Sequence, residues 1–293
     1  MEKMVNKKRI WISGGSGFIG SNIIPLLEEK YEILAPRRSQ VNMLAADEVS
    51  DFIRANDITA IVHCANPNPT KNALDLIVDM YEGSMKCFLN LYQCRNQVDK
   101  ILYFGSGAEY GKTADMVMIE ESAFGRFLPE DPYGQAKYQM NLLSQQASNV
   151  YNLRIFGCFG KGDHESKFIT HCVNCLRKNE QITIRKDCAF DYILVNDLAA
   201  VVDWFLQNQP KYKDYNVCSG KPYMLSEIAK MTSQIYAEMG YGKEEEIVLL
   251  QDSLNYSYTA SNKRLLSEAK DLKFTPLKEG VTYQIAAIMD SNQ

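Results

Sequence analysis

The chain has 293 residues, a formal net charge of −4 at pH 7 and 46% hydrophobic residues. This length exceeds that of a usual single domain and suffices for a large core. The slightly acidic balance offers no general attraction for nucleic acid or an anionic membrane, so neither is expected as a partner. No apolar run approaches the ~20 residues of a membrane span, and the charged segment 1–9 lacks a signal peptide's apolar core, so we expect a cytoplasmic protein.

Strand-like and helix-like segments alternate along the chain, which is typical of a parallel sheet with crossover helices. Strands are predicted near 9–13, 31–35, 59–64, 100–105, 150–155 and 182–185. Helices are predicted at 18–30, 45–56, 73–97, 132–148, 166–178 and 195–208. Segment 112–131 is long and irregular and would suit a loop over a substrate, and the pattern after Gly220 is less regular.

A glycine-rich turn follows the first predicted strand and opens the first predicted helix. It reads Gly14-Gly15-Ser16-Gly17-Phe18-Ile19-Gly20. Gly14 permits the turn, Gly17 lets the backbone approach a pyrophosphate, and Gly20 lets the helix pack closely on the strand. In this strand-to-helix context the pattern predicts a dinucleotide site.

The residues after the second predicted strand bear on the choice of dinucleotide. The chain reads Ala35-Pro36-Arg37-Arg38-Ser39, without an acid. An acid there would bind the ribose 2′-hydroxyl of NAD, whereas a guanidinium binds phosphate oxygens bidentately. NADP(H) is therefore favoured and NAD(H) stays possible, since adjacent arginines also suit a solvated surface.

Tyr133 and Lys137 lie four residues apart, directly after Asp131-Pro132. This spacing puts both on one helical face, with Asp131 suited to the N-cap and Pro132 to the first helical position. The Lys137 ammonium and the helix dipole would lower the pKa of the phenol, and reaching about 7 from ~10 needs roughly 4 kcal/mol. Such a tyrosine exchanges a proton with a carbonyl or alcohol oxygen, and Ser106, after the fourth strand, would hydrogen-bond that oxygen.

The eight cysteines indicate reduced thiols rather than a disulfide scaffold. Cys172 and Cys175 form a CxxC near His164 and His171, but no second CxxC completes a zinc site. The segment looks helical, so both cysteines are predicted to be small core residues and no metal is expected. His63, at a predicted strand end, is expected to be structural.

These motifs resemble the extended short-chain dehydrogenase/reductases of the NAD(P)-dependent epimerase/dehydratase group, whose members act mostly on nucleotide sugars. The resemblance runs from about residue 8 to 285 and includes 61–65, 153–160, 190–199 and 216–222. It implies an α/β fold, a Rossmann-type doubly wound parallel sheet with a smaller mixed α/β C-terminal substrate lobe. It also implies a nucleotide-sugar substrate and a homodimer formed through the long helices after the third and fourth strands.

The resulting assignments are as follows. The nucleotide-binding domain is 1–160 with about 189–217, and the substrate-binding lobe is about 161–188 with 218–293. The catalytic residues implied are Ser106, Tyr133 and Lys137. The cofactor-binding residues are Gly14, Ser16, Gly17, Phe18, Ile19, Gly20, Arg37, Arg38, Asn42, Cys64, Ala65, Asn66, Tyr133, Lys137 and Phe156. The substrate-binding residues are Gly107, Ala108, Lys167, Arg185 and Phe190.

Two positions beside Ser106 narrow the reaction. In sugar-nucleotide 4,6-dehydratases an Asp-Glu pair follows the serine or threonine and removes water, but this chain has Gly107 and Ala108. In epimerase-reductases of the GDP-fucose synthase type a cysteine works with a histidine, and the cysteine's place aligns with Ala108. Glu109 is the nearest carboxylate and is predicted to support the loop.

Plain hydride transfer remains. Segment 156–163 leading to 166–169 resembles the matching stretch of 4-ketoreductases such as CDP-abequose synthase. The predicted reaction is NADPH-dependent reduction of the C4 ketone of a nucleotide-linked 4-keto-6-deoxyhexose. Two alternatives stay open: a nucleotide-sugar 4-epimerase with tightly bound NAD, which uses the same three residues, and a non-catalytic dinucleotide-sensing protein.

Two family contacts to the substrate diphosphate are missing. Gly157 stands where the asparagine of the LRxFN segment is expected, and Phe190 stands where an arginine precedes the RDF-type aspartate. Lys167 and Arg185 are candidates to compensate, as a point charge and a forked phosphate ligand, although both also suit ordinary surface positions.

Overall fold

The computed structural model describes residues 7–67, 79–113 and 115–290. The chain forms two compact units. The first comprises Met1–Gly111, Phe124–Arg154 and Leu198–Tyr215, and the second comprises Lys112–Ala123, Ile155–Asp197 and Asn216–Gln293.

The strands are Arg9–Ser13 (β1), Glu32–Leu34 (β2), Ala60–His63 (β3), Lys100–Ser106 (β4), Met116–Ile119 (β5), Val150–Ile155 (β6), Gly157–Phe159 (β7), Ile182–Ile184 (β8), Ala189–Phe190 (β9), Tyr192–Leu194 (β10), Asp214–Val217 (β11), Tyr223–Met224 (β12), Ile247–Leu249 (β13) and Tyr258–Ala260 (β14). The α-helices are Phe18–Leu27 (α1), Ala46–Ala55 (α2), Met80–Gln93 (α3), Pro132–Gln145 (α4), Phe168–Arg177 (α5), Asp197–Gln207 (α6), Leu225–Glu238 (α7), Lys263–Glu268 (α8) and Leu277–Asp290 (α9). Short 3₁₀ helices span Arg95–Gln97, Gly107–Tyr110 and Glu121–Ala123.

A six-stranded sheet in the order β11-β6-β4-β3-β1-β2 organises the first unit. Its β1–β2, β1–β3 and β3–β4 pairs are parallel. All four residues of β3 and all seven of β4 are buried, as in strands covered on both faces. The chain leaves β1 toward β2 on one side and returns to β3 on the other, so the carboxyl ends of β1 and β3 form the switch point where such sheets bind ligands.

Within its described residues, the second unit contains three smaller sheets. β7 pairs with β10 in parallel, β13 pairs with β8, and a mixed sheet has the order β12-β9-β14-β5. Its core is built by α5, α7 and α9, with Val173, Ile228 and Val281 fully buried. In the part of the chain that the structure describes, no helix combines the length and apolar character needed to cross a membrane.

The α/β fold class with a doubly wound parallel sheet is confirmed, and five of the six predicted strands lie in the large sheet. The predicted strand at 182–185 is present as β8, but it lies in the second unit rather than in the large sheet. Strand β8 pairs with β13 because Ile182 and Ile184 are buried in the core of the second unit. The sixth strand is β11, which carries a polar residue at every other position and lacks the apolar run used to find the others.

Other differences concern the second half of the prediction. The region after Gly220, expected to be irregular, contains α7, α8 and α9. Segment 112–131 contains β5, which pairs with β14, so it is not a continuous loop. Residues 73–78 of the third predicted helix lie outside the described residues, and the described helix is α3.

The units also divide differently from the assigned domains. Segments 112–123, 155–160 and 189–197 were assigned to the nucleotide domain, but they cluster with the second unit. The physical reason is strand pairing. β5, β7, β9 and β10 lie in these segments, and their backbone hydrogen bonds go to one another or to other strands of the second unit.

Candidate active site

The glycine-rich turn closes tightly on the end of β3. Gly14 has φ +72°, a left-handed conformation that favours glycine. A Cβ on Gly14 would lie 2.6 Å from the Ala65 Cα, so a side chain there has no room. Gly20, in the first turn of α1, packs against the turn itself, where its Cβ would come within 2.6 Å of the Gly15 Cα.

The N-terminus of α1 is suited to a pyrophosphate. Gly17 is its N-cap without a side-chain hydrogen bond, and the first turn contains no acidic residue. The backbone N–H groups of Phe18 and Ile19 therefore meet no carboxylate of their own turn, and the helix dipole adds positive potential. Ser16 is exposed in the turn. These residues fit the dinucleotide predicted from the sequence.

The candidate adenosine-side residues follow β2. Arg37 and Arg38 are both exposed, and the Arg37 backbone N–H donates to Gln40 Oε1. Asn42 lies further along the same loop, where its Oδ1 accepts from the Leu44 backbone N–H. Asn42 therefore holds the loop after β2, with Arg37 and Arg38 at its start.

The segment after β3 supplies the other side of the switch point. Cys64, Ala65 and Asn66 follow His63, and the Cys64 backbone N–H donates to the Ser13 carbonyl at 3.1 Å. His63 is buried, and its Nδ1 lies 2.7 Å from the Ser13 hydroxyl. Burial and the Lys137 charge lower the pKa of His63 to about 3. His63 is therefore a neutral structural residue, as expected.

Helix α4 begins as the sequence predicts. Asp131 is its N-cap, accepting from the Gly134 backbone N–H at 3.0 Å, and Pro132 is the first helical residue. The Lys137 Nζ lies 5.7 Å from the centroid of the Tyr133 ring and donates to the Phe104 carbonyl at 2.8 Å. The cap, the helix and the spacing together place Tyr133 and Lys137 on one face.

Ser106 ends β4 and lies beside the phenol of Tyr133. A side-chain hydrogen bond joins the two residues. The Ser106 Oγ also accepts from the Ala108 backbone N–H at 3.2 Å, which begins the 3₁₀ helix. Gly107 and Ala108 are buried in that helix. The structure thus brings Ser106, Tyr133 and Lys137 together, with residues that cannot transfer protons at 107 and 108.

The pKa of Tyr133 departs from the expectation. It is raised to about 12, first by burial and also by the charges of Glu109 and Asp131, while the Ser106 hydrogen bond lowers it. Burial also lowers the pKa of Lys137 to about 8. The expected shift of the phenol pKa toward 7 is therefore wrong for this structure, because desolvation and the two nearby carboxylates together outweigh the Ser106 hydrogen bond.

A buried charge network that was not expected from the sequence supports Ser106. Glu109 and Arg154 are both fully buried, with the Arg154 Nε 2.9 Å from Glu109 Oε2. The Arg154 Nη2 lies 2.9 Å from Asp214 Oδ2. A charged residue inside an apolar strand, as at Arg154 in β6, is the sequence signal that points to a buried partner. Glu109 supports the loop, as predicted.

The remaining candidates lie in the second unit. Phe156 is buried with its ring 5.1 Å from that of Tyr258, and Phe190 stacks on Tyr192 at 5.6 Å. Lys167 and Arg185 are exposed, the first before α5 and the second just after β8. The charge of Lys167 acts on Asp163, whose pKa burial raises to about 7.

Gly157 has a steric explanation. A Cβ on this residue would come within 2.5 Å of the Asp191 carbonyl and 2.7 Å of the Tyr192 ring. Strand β10 therefore runs too close to β7 for the asparagine expected there.

The CxxC cysteines lie on the buried side of α5. Cys172 and Cys175 belong to the core of the second unit, as predicted. The Cys175 Sγ lies 3.5 Å from the His171 Nε2. Burial raises the pKa of both thiols, which keeps them protonated.

Comparison with known proteins identifies the family of this chain. Residues 10–218 match the model of the NAD dependent epimerase/dehydratase family. The ADP-L-glycero-D-manno-heptose-6-epimerase of Brachyspira hyodysenteriae is 24% identical over 93% of this chain and 95% of its own. The GDP-6-deoxy-D-talose 4-dehydrogenase of Aggregatibacter actinomycetemcomitans is 21% identical over 92% of this chain and 94% of its own.

Among solved structures, the GDP-L-fucose synthetase of Naegleria fowleri bound to NADP has a similar fold. Its TM-score is 0.82 at 14% identity, with 99% of this chain and 96% of that chain covered. The family match spans the glycine turn, Ser106, Tyr133 and Lys137. The chain therefore belongs to the NAD dependent epimerase/dehydratase family, as an NAD(P)-dependent enzyme of the extended short-chain dehydrogenase/reductase type.

Proposed function

We propose that the protein reduces the C4 ketone of a nucleotide-linked 4-keto-6-deoxyhexose. The observation that carries the proposal is the environment of Ser106, where Gly107 and Ala108 are buried and hold no ionisable group. Elimination of water needs an acid and a base beside the serine, and inversion beside the ketone needs a base. Tyr133 alone serves a simple reduction. The relative from Aggregatibacter, named for a reaction at position 4, supports the choice of carbon.

The chain's own residues perform the proton chemistry. Ser106 and Tyr133 are hydrogen-bonded to each other, so both hydroxyls can address one substrate oxygen. With a pKa of about 12, Tyr133 is protonated at neutral pH and is a proton donor rather than a base. When bound, the nicotinamide supplies hydride to the carbonyl carbon. The Lys137 ammonium stabilises the phenolate left after proton transfer.

NADPH is the favoured reductant. The α1 N-terminus binds the pyrophosphate, and the exposed Arg37 and Arg38 bind the 2′-phosphate as planar, forked ligands. NADH lacks the 2′-phosphate and its charge, so the two arginines favour NADPH over NADH.

A 4-epimerase with tightly bound NAD is the second candidate. It is favoured by the same observation, because oxidation and re-reduction of one carbon need Ser106, Tyr133 and Lys137 and no further acid. The two candidates differ in cofactor consumption: a reductase consumes one reduced cofactor per turnover, whereas an epimerase consumes none.

A substrate screen tests the proposal. The protein is incubated with CDP-, GDP-, dTDP- and UDP-4-keto-6-deoxyhexoses and with NADPH or NADH, and the loss of reduced-nicotinamide absorbance is recorded. We expect stoichiometric oxidation of NADPH by at least one sugar. If none oxidises either cofactor, the reductase proposal is wrong. Conversion between C4 epimers without added cofactor would identify the epimerase instead.

Cofactor choice is tested in the same assay with an Arg37→Ser/Arg38→Ser double variant. We expect its KM for NADPH to rise by about tenfold or more while its KM for NADH changes little, since a bidentate phosphate contact contributes at least ~1.4 kcal/mol. Arg177→Ser, at an exposed arginine in the last turn of α5, is the matched control. Equal effects on both cofactors would contradict the 2′-phosphate role.

A further inference from the structure

Glu109 makes more contacts than support of a loop requires. Its carboxylate accepts from the Ser106 backbone N–H at 3.0 Å, the Asn152 Nδ2 at 2.9 Å and the Arg154 Nε at 2.9 Å. Burial raises the pKa of Glu109, while the Arg154 charge and the hydrogen bonds from the Ser106 backbone and Asn152 oppose that shift and favour the carboxylate. As a carboxylate, Glu109 places a negative charge one turn from Ser106.

The partners that fix Glu109 in place belong to strands of the large sheet. Arg154 lies in β6, donates to the Tyr110 hydroxyl at 2.8 Å and pairs with Asp214 of β11. Breaking a buried ion pair leaves an uncompensated charge, so loss of any one partner would be costly. The position of the Ser106 backbone is thereby tied to two strands of the large sheet.

The same carboxylate acts on the two titrating residues of α4. The 3₁₀ helix packs against the start of α4, where a Cβ on Gly134 would lie 2.9 Å from the Ala108 carbonyl oxygen. The Glu109 charge raises the pKa of both Tyr133 and Lys137. The other groups facing this pair are Asp131 and Ser106 at Tyr133, His63, Cys64 and Cys87 at Lys137, and Tyr103 beside Glu109.

We propose that Glu109 is a positioning residue of the active site, which fixes the Ser106 hydroxyl against Tyr133 and supplies the negative charge that balances Lys137. The role rests on the proposed proton transfer from Tyr133. The role has two parts that different substitutions can separate. The hydrogen bond from the Ser106 backbone to the Glu109 side chain positions Ser106, and the Glu109 charge stabilises the Lys137 ammonium.

Three variants separate these parts. Glu109→Gln removes the charge and keeps the length; Asn152, whose Oδ1 is buried without a partner in the described residues, offers an acceptor to the new amide. Glu109→Asp keeps the charge, but its shorter side chain moves the carboxylate away from the Ser106 backbone N–H. Glu121→Gln is the matched control, because Glu121 is also buried, also accepts from a backbone N–H, of Asn216, and also faces an arginine.

The first readout needs no substrate. Competitive acetylation of Lys137 across a pH series, quantified by peptide mass spectrometry, measures its titration midpoint, expected near 8 in the unmodified protein. We expect the midpoint to fall in Glu109→Gln, because a neighbouring anion is lost, and to stay unchanged in Glu109→Asp and Glu121→Gln. An unchanged midpoint in Glu109→Gln would overturn the electrostatic part.

The second readout is the pH profile of turnover on the active sugar. In Glu109→Gln we expect kcat about 10- to 100-fold lower, and its alkaline decline at lower pH than in the unmodified protein. Glu109→Asp should lose kcat at unchanged KM and keep the profile. If Glu109→Gln does not fold, Glu109→Asp decides: an unchanged kcat overturns the positioning role. Absence of turnover on every sugar refutes the proposed function. The titration midpoint of Lys137 still tests the electrostatic role of Glu109, because that measurement needs no substrate.

Discussion

Two regions of the molecule differ in the polarity of their side chains. The proposed proton-transfer region, made of Ser106, Glu109, Tyr133, Lys137 and Arg154, lies in the first unit, and each of these polar side chains has a partner. The aromatic region, made of Phe156, Phe190, Tyr192 and Tyr258, lies in the second unit and packs ring against ring. Phe190 and nearby Gly157 replace the polar diphosphate ligands expected from the family resemblance.

The contrast has a physical basis. Proton transfer requires a donor at a fixed distance from one oxygen, so the residues that perform it tolerate little variation. A diphosphate is a large anion that lysines, arginines or helix N-termini can bind from several positions. The residue types of the first region therefore indicate the reaction chemistry well, whereas those of the second region are a poor guide to the substrate.

The largest expected effect is in the proton-transfer region. Tyr133→Phe removes the proton donor, and we expect kcat to fall by about 100- to 10,000-fold at unchanged stability. Steady-state turnover on the active sugar measures the loss. Tyr138→Phe, in the same helix, is the control, because the Tyr138 ring stacks on Phe124 and should retain activity. Normal turnover of Tyr133→Phe would remove the catalytic model.

Restoring the family asparagine in the second unit should destabilise the protein. Gly157→Asn forces a side chain against the Asp191 carbonyl and the Tyr192 ring, and we expect a loss of about 3 kcal/mol from overpacking. Urea unfolding measures the change. Gly240→Asn is the control, because Gly240 has φ +78° with nothing near a Cβ, and asparagine tolerates such a position. Equal losses in both variants would refute the steric explanation.

His63 makes the first unit sensitive to acid. Its pKa of about 3 lies below the unfolded value of 6.5, so the unfolded state binds more protons between these values. Stability is complete above about 6.5 and should fall by about 2 kcal/mol between pH 6.5 and 5. His63→Asn should flatten this slope in urea unfolding measured at several pH values. An unchanged slope would contradict the assignment.

The smallest effect is expected for Phe190→Arg, which restores the family arginine in the aromatic region. Stacking on Tyr192 and Tyr258 is lost, so we expect KM for the sugar to rise about 3- to 10-fold at unchanged kcat, consistent with ~1 kcal/mol of aromatic packing. Phe190→Leu removes the ring without adding charge and serves as the control. A lower KM in the arginine variant would show that the diphosphate is bound as in the family pattern.

Local features of the site were predictable from the sequence. The glycine turn, the Asp131 cap and the shared face of Tyr133 and Lys137 depend on neighbours within a few residues, so spacing and residue type suffice. Strand β11 and the helices after Gly220 were missed, because their pairing and packing partners lie far along the chain.

The sequence alone determines which groups can react: a serine, a tyrosine and a lysine after the right strand and cap, and no acid at 107 or 108. Only the tertiary structure decides their ionisation and support. Burial raises the pKa of Tyr133 to about 12, against the effect expected of a neighbouring lysine. Glu109 pairs with Arg154, which lies 45 residues later in the sequence, and Arg154 pairs with Asp214, which lies 60 residues further on. Desolvation and long-range charge pairing depend on the packed interior, which no local pattern encodes.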